Sequence, residues 1–219
     1  MFDRQDCVRG EARERQLSRD AYFDDHYFSL PHLVSVSQQL HEIHALKPES
    51  ILEIGLGNGL VSEFLRRAGY KVKTVDINSE LDPDICAPLH ELVERLNGET
   101  FDLVVCCEVL EHLPLEDFAK NIKILRQAGS RLFMTLPSYY RSFGFGGLLR
   151  LPRRTARPFS FHVNVRKEKD LSATQHFWEV YSEAATKPKA ICKELRNHYR
   201  DVRSWKFQLN PYHICFYAE

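Results

Sequence analysis

Long apolar runs are missing from this 219-residue chain. Its uncharged stretches are short, or broken by His, Ser and Gln as in 27–40, and none approaches the ~18 residues that a membrane-spanning helix needs. Net charge is missing too: 30 Lys and Arg stand against 30 Asp and Glu, which removes any global argument for a polyanionic partner. Cysteine is sparse. Cys7, Cys86, Cys106, Cys107, Cys192 and Cys215 form no CxxC pair and no Cys/His spacing of a zinc site, so no metal is expected and the thiols read as free, in a reducing compartment. Cys106 and Cys107 are adjacent in a predicted strand and point to opposite faces, so they cannot grip one ion together. The opening MFDRQDCVRGEARERQ is too charged for a secretory signal. The expectation is a cytoplasmic protein, and 43% hydrophobic with 27% charged residues suits one ordinary globular domain with additions.

What the chain does have is an alternation of textures. Residues 1–48 read as an N-terminal helical arm or cap. After a charge-rich stretch, Leu33, Val36, Leu40, Ile43 and Leu46 recur at helical spacing, with Pro31 in the first turn and Pro48 past the end. Residues 49–137 form the predicted core: apolar strands at 50–55, 71–77, 84–86, 101–107 and 130–137 alternate with helices near 60–70, 90–96 and 115–127. That rhythm predicts α/β architecture, helices covering both faces of a mostly parallel sheet. Residues 138–186, with Gly144, Gly146, Gly147, Pro152 and Pro158, read as an insertion or lid. Residues 187–219 supply a helix and two closing strands, 201–209 and 212–218, joined at Asn210-Pro211 as an antiparallel hairpin at the sheet edge.

The most informative stretch is Glu53-Ile54-Gly55-Leu56-Gly57-Asn58-Gly59, at the first strand–helix turn. Glycines there let the backbone turn tightly and a ligand approach closely. The spacing is GxGxG, not GxGxxG. Glu53 ends the strand where a pyrophosphate would be repelled, and Asp76 ends the second strand, placed to accept bonds from ribose hydroxyls. These features favour a nucleoside cofactor without phosphate and with positive charge near the loop. S-adenosylmethionine, with its sulfonium and ammonium, fits that description.

LEIGLGNG (52–59), TVDIN (74–78), FDLVVCCEVLEHLP (101–114) and RLFMTLP (131–137) resemble the class I, Rossmann-like S-adenosylmethionine-dependent methyltransferases. The likeness covers roughly residues 30–140. It implies a three-layer sandwich around a seven-stranded sheet whose last strand is antiparallel. It also implies that Glu53, Gly55, Gly57, Asn58 and Gly59 shape the methionine pocket, that Asp76 holds the ribose and that Ile77 flanks the adenine. Cys107 and Glu108, ending the fourth strand, line the methionine side. Family members often place a polar residue after the third strand for the adenine amino group, where this chain has Pro88.

Methyl transfer from a sulfonium is an in-line displacement in which positioning supplies most of the rate and a base assists a hydroxyl acceptor. Candidates are His112, after the fourth strand, and His176 with Glu179, set in an aromatic and acidic cluster; His213 reads as a packing residue and Glu111 as a solvent-facing or loop-bracing carboxylate. In 141–169, Arg141, Arg150, Arg153, Arg154, Arg157, Arg166, Lys167 and Lys169 face a lone acid, Glu168, among many phenylalanines and leucines. Such a segment suits an anionic small-molecule acceptor; an RNA strand or a lipid headgroup is the alternative acceptor, and a non-catalytic cofactor-binding protein the alternative to an enzyme.

Overall fold

The computed structural model describes residues 10–153, 155–165, 170–171 and 174–219. Cys7, Arg154, Arg166, Lys167, Glu168 and Lys169 lie outside them. Seven strands form the main sheet: β1 (Ser50–Ile54), β2 (Lys71–Asp76), β3 (Ile85–Cys86), β4 (Phe101–Cys107), β5 (Gly129–Pro137), β8 (Val202–Lys206) and β9 (His213–Ala218). Their order is β3-β2-β1-β4-β5-β9-β8. β1 to β5 are mutually parallel, while β9 runs antiparallel to both its neighbours, β5 and β8. The closing pair is thus a hairpin whose first strand takes the edge. The last strand is inserted between β8 and the parallel set.

Continuous apolar sequence explains the centre. β1, β4, β5 and β9 are almost wholly buried, as strands covered on both faces must be. On one face Val36 and Ile43 of α2 (Leu30–Ala45) and Val61 and Leu65 of α3 (Leu60–Arg67) pack on Ile51, Leu103, Val105 and Phe133. On the other, α4 (Leu92–Leu96), α5 (Phe118–Ala128) and α6 (Pro188–Leu195) cover Leu52, Val104, Cys106 and Leu132. Cys106 and Cys107 fall on opposite faces, Cys106 in one core and Cys107 against the other. α2 starts as its sequence dictates, with Ser29 accepting from the His32 N–H and Pro31 in the first turn.

Two parts stand outside these layers. The arm contains one turn of helix, α1 (Glu11–Glu14), and a 3₁₀ turn at Arg19–Tyr22. The insertion holds a separate two-stranded antiparallel hairpin, β6 (Arg141–Leu149) and β7 (Arg157–Val165). Among the described residues no helix is long and apolar enough to cross a membrane.

Candidate active site

A cavity of about 840 Å³ opens at the carboxyl ends of β1, β2 and β4, where open α/β sheets bind ligands. Its size falls in the range of small-molecule sites. One end is the glycine loop. Gly55 and Gly57 both have positive φ, 81° and 54°, which only glycine adopts freely. A Cβ on Gly55 would stand 2.4 Å from Val109 Cγ2, whereas one at Gly57 would enter open space. The second position therefore leaves room for a ligand, and the first lets the loop sit against the turn after β4.

Asp76 holds this loop. Its Oδ2 accepts from the Leu56 N–H at 2.7 Å and its Oδ1 from the Asn78 N–H at 2.8 Å. Each oxygen keeps a lone pair for a further donor. Burial pushes the carboxyl above its ordinary range, partly offset by those backbone bonds. Glu53 is buried, and its Oε2 has no partner. Burial raises its carboxyl to about 8, against a smaller pull from Ser62. An orphaned carboxylate in a cavity wall is a seat for a cation.

Glu53, Gly55, Gly57, Asn58, Asp76, Ile77, Cys107 and Glu108 all line the cavity. Gly59 does not; it caps α3 in the left-handed region, φ 74°. Ala87 and Leu89 line the wall beyond Ile77, and Pro88 between them does not.

The other end is assembled from distant segments. Residues 110–112 make a 3₁₀ turn after β4, and the segment carrying His176 to Glu179 is tied to it. The Phe177 N–H donates to the Glu111 carbonyl at 2.8 Å and the Trp178 indole to the Leu113 carbonyl at 3.0 Å. Trp178 is buried edge-on against Phe118, the first residue of α5. His112 and His176 meet with ring centroids 5.0 Å apart. His176 Nδ1 lies 2.9 Å from Glu179 Oε1. The pair is not a surface pair on a helix face: the segment is irregular, and Glu179 is 2% exposed.

Glu111 is neither solvent-facing nor bracing its loop through its side chain. It is wholly buried, and neither carboxylate oxygen has a partner. Burial pushes it well above the ordinary range, helped by Glu108. Burial likewise raises Glu108 to about 7 and lowers His112 to about 3. Glu108 sits at φ 55°, a left-handed conformation unusual for a side-chain-bearing residue. Its Oε2 lies 3.7 Å from Nε2 of His213, itself depressed to about 4 by burial. His213 is thus a cavity residue as well as a packing one.

The cavity's roof is the N-terminal arm. Glu11, Arg13, Glu14, Leu17, Tyr22, His26, Tyr27 and His32 line it, and among the described residues of the insertion only Gln175 and His176 do. Among the described residues the hairpin β6–β7 contributes no lining residue, so its described part lies outside the cavity wall. The arm is fastened by Asn78, whose side chain donates to the Leu17 carbonyl at 2.8 Å, and by Arg13, which donates to Gln175. Local sequence carries no signal for this contact, because the arm's partners lie more than 60 residues away.

A family model described as "Methyltransferase domain" matches residues 32–219. Curated relatives include ubiquinone biosynthesis O-methyltransferases of Vibrio cholerae, 30% identical over 123 residues, and of Coxiella burnetii, 30% over 125 residues. The matches cover 48% and 50% of this chain, and it spans about half the length of those relatives, 49% and 51%. Among solved structures, a SAM-dependent methyltransferase from Archaeoglobus fulgidus superposes with TM-score 0.60 at 14% identity, covering 90% of this chain and 97% of its own. Magnesium protoporphyrin IX methyltransferase from Synechocystis PCC 6803 gives 0.56 at 17% identity, with 86% and 83% covered. The chain belongs to the methyltransferase-domain family, with the class I, Rossmann-like fold of the S-adenosylmethionine-dependent enzymes.

Proposed function

We propose that this protein transfers the methyl group of S-adenosylmethionine to an oxygen or nitrogen of a small molecule. One observation carries the reading: a single cavity joins the Asp76 and glycine-loop end to a buried His/Glu cluster. The cofactor supplies a methyl group activated on sulfonium. The residues present suit it. Asp76 retains acceptor capacity for sugar hydroxyls, Gly57 leaves open space, and the unpartnered Oε2 of Glu53 and Oε1 of Glu108 complement an ammonium. Ile77, Ala87 and Leu89 offer an apolar wall for adenine, with no polar side chain from Pro88.

His112, His176 and Glu179 form the acceptor side, and Glu179 fixes the ring of His176. The names of the curated relatives favour oxygen as the methylated atom. Because the basic hairpin lies outside the cavity lining and the acceptor end holds carboxylates, an anionic acceptor loses its main support, and so does an RNA strand threaded into the site. Calorimetry with S-adenosylmethionine, followed by incubation of the protein with methyl-labelled cofactor and a cell extract, tests the reading. Micromolar binding and label in a small molecule are expected. A folded protein that binds no cofactor would instead be a non-catalytic relative, and label in RNA or lipid would move the acceptor.

A further inference from the structure

We propose that Glu111, His112 and His176 bind one divalent transition-metal ion at the acceptor end of the cavity. The inference rests on the reading of that end as the acceptor side. Each residue offers one ligand atom, and the three atoms lie within 4.8 Å of one another. Two imidazoles with one carboxylate suit Mn²⁺, Fe²⁺, Co²⁺ or Zn²⁺ better than Mg²⁺ or Ca²⁺. The surroundings are those of a prepared site. Both oxygens of Glu111 are buried without a partner, and so is Nδ1 of His112; such groups are costly to leave orphaned. His176 has its Nδ1 held by Glu179, leaving Nε2 to ligate, the usual support of a metal-binding histidine. Three protein ligands leave positions for an acceptor hydroxyl. In the transfer, the acceptor oxygen loses its proton to water and forms the O–C bond with a lone pair, while the C–S bond breaks and its electron pair stays on sulfur.

The test is titration of the full chain, stripped with chelator, with Mn²⁺, Co²⁺ and Zn²⁺, read by calorimetry and by the visible absorption of Co²⁺. One equivalent at micromolar affinity is expected, falling at least 100-fold in His112→Ala and His176→Ala. Glu111→Gln should lose the ion, yet unfold no earlier than wild type in the metal-free state, which a merely structural carboxylate would not allow. Absence of saturable binding by folded protein, or binding that survives the double histidine variant, overturns the proposal. S-adenosylmethionine affinity, measured in parallel, separates this failure from failure of the methyltransfer reading.

A second inference comes from the hairpin. Strand alternation and register place Phe143, Phe145, Leu149, Phe159, Phe161, Val163 and Val165 on one face with Arg141 and Arg157. The apolar members are exposed, Phe143 by 79%. The other face leans on the β8–β9 connection through His162 to the Gln208 carbonyl and on the end of β8 through Lys206, which donates to Asn164. The amphipathic sense is therefore inverted, greasy side outward. Arg150 and Arg153 add charge at the tip, and the described residues 141–165 contain no carboxylate.

We infer that this face docks on an anionic lipid surface, the arginines meeting phosphate while the phenylalanines enter the interface. A second copy on the same patch would bury the arginines without supplying a carboxylate to pair them, because a two-fold contact uses the same patch on both sides. Co-sedimentation with phosphatidylglycerol-containing vesicles tests it. Binding should weaken at least tenfold on pure phosphatidylcholine, and again in Phe145→Asp with Phe161→Asp, with thermal unfolding unchanged. Failure to bind anionic vesicles, or a dimer in vesicle-free ultracentrifugation that the same substitutions dissolve, overturns the inference.

Discussion

At the β1–β2 end of the cavity the wall is nearly local: residues 53–58 turn over Asp76, whose carboxylate, 20 residues on, accepts from the Leu56 N–H. At the opposite end the wall is a meeting of strangers. Glu111 and His112 follow β4, His176 and Glu179 arrive more than 60 residues later, and the arm closes over them from the start of the chain. The first end binds by backbone geometry. The second depends on buried titratable side chains, of which His176 and Glu179 bond each other while both oxygens of Glu111 stay unpartnered.

This division predicts unequal and separable losses. His176→Ala should give the largest effect, lowering kcat by about 10²–10⁴, as removal of a positioned acid–base or acceptor-binding group does. Cofactor affinity should stay within a factor of about three, a small change on the scale where tenfold is 1.4 kcal/mol. Labelled-methyl turnover and calorimetry on the same preparation check both. A parallel fall in affinity would mean that the two ends are not independent.

Asp76→Ala should do the converse. One charge-assisted bond is lost to the loop and one to the Asn78 N–H, and those to the ribose with them, at about 1.5–3 kcal/mol each. Affinity for S-adenosylmethionine should drop about 100-fold or more, while any ion bound at Glu111 is retained. Unchanged affinity would remove the foundation of the proposed function.

The same division decides what the primary structure disclosed. The strands were readable because buried parallel strands need apolar residues, as in Leu103 to Cys106 and, around the single acid Glu53, Ile51 to Ile54. The glycine loop was readable because positive φ selects glycine at Gly55 and Gly57. Glu111 misled: a carboxylate between a leucine and a histidine looks solvent-facing, and only the docking of Phe177 and Trp178 onto its turn buries it. The roof was hidden for a similar reason. Tyr22, Tyr27 and His32 show no periodicity that points to a ligand, and basic charge drew attention to a hairpin whose polar face rests on the β8–β9 connection.

A finer probe of the local end is its protons. With its carboxyl raised to about 8 by burial, Glu53 is mostly protonated at neutral pH before the cofactor enters. An ammonium beside it favours the ionised form, so binding should expel nearly one proton at pH 7. Affinity should rise about tenfold per pH unit between about pH 5.5 and 7. The enthalpy in buffers of different ionisation heat measures the proton directly. In the free protein the sign reverses: because the folded-state value is raised, stability falls as pH climbs from the unfolded carboxyl value toward about 8. Glu53→Gln should remove this group's share of both dependences, leaving the smaller one of Glu108, which burial raises to about 7.

The smallest effect belongs at the far end of the sheet, where neither half of the cavity reaches. Arg131 Nε and Nη2 grip the two oxygens of Asp102 at 3.0 and 2.5 Å, and the Glu49 N–H adds a third bond at 2.9 Å. Burial alone would raise this carboxyl, but the guanidinium and the backbone donor outweigh it and hold it below its ordinary range. A depressed folded value contributes stability above the unfolded pKa, and that contribution is lost as pH falls through the folded one. Asp102→Asn should therefore cost about 1 kcal/mol at neutral pH, the scale of a partly exposed pair with good geometry. The gap from wild type should close on acidification below about pH 4, where the aspartate of the unfolded chain protonates. Urea unfolding at the two pH values measures this, and cofactor affinity should not move, because β4 joins Asp102 to the cavity only as a strand whose opposite end carries the site.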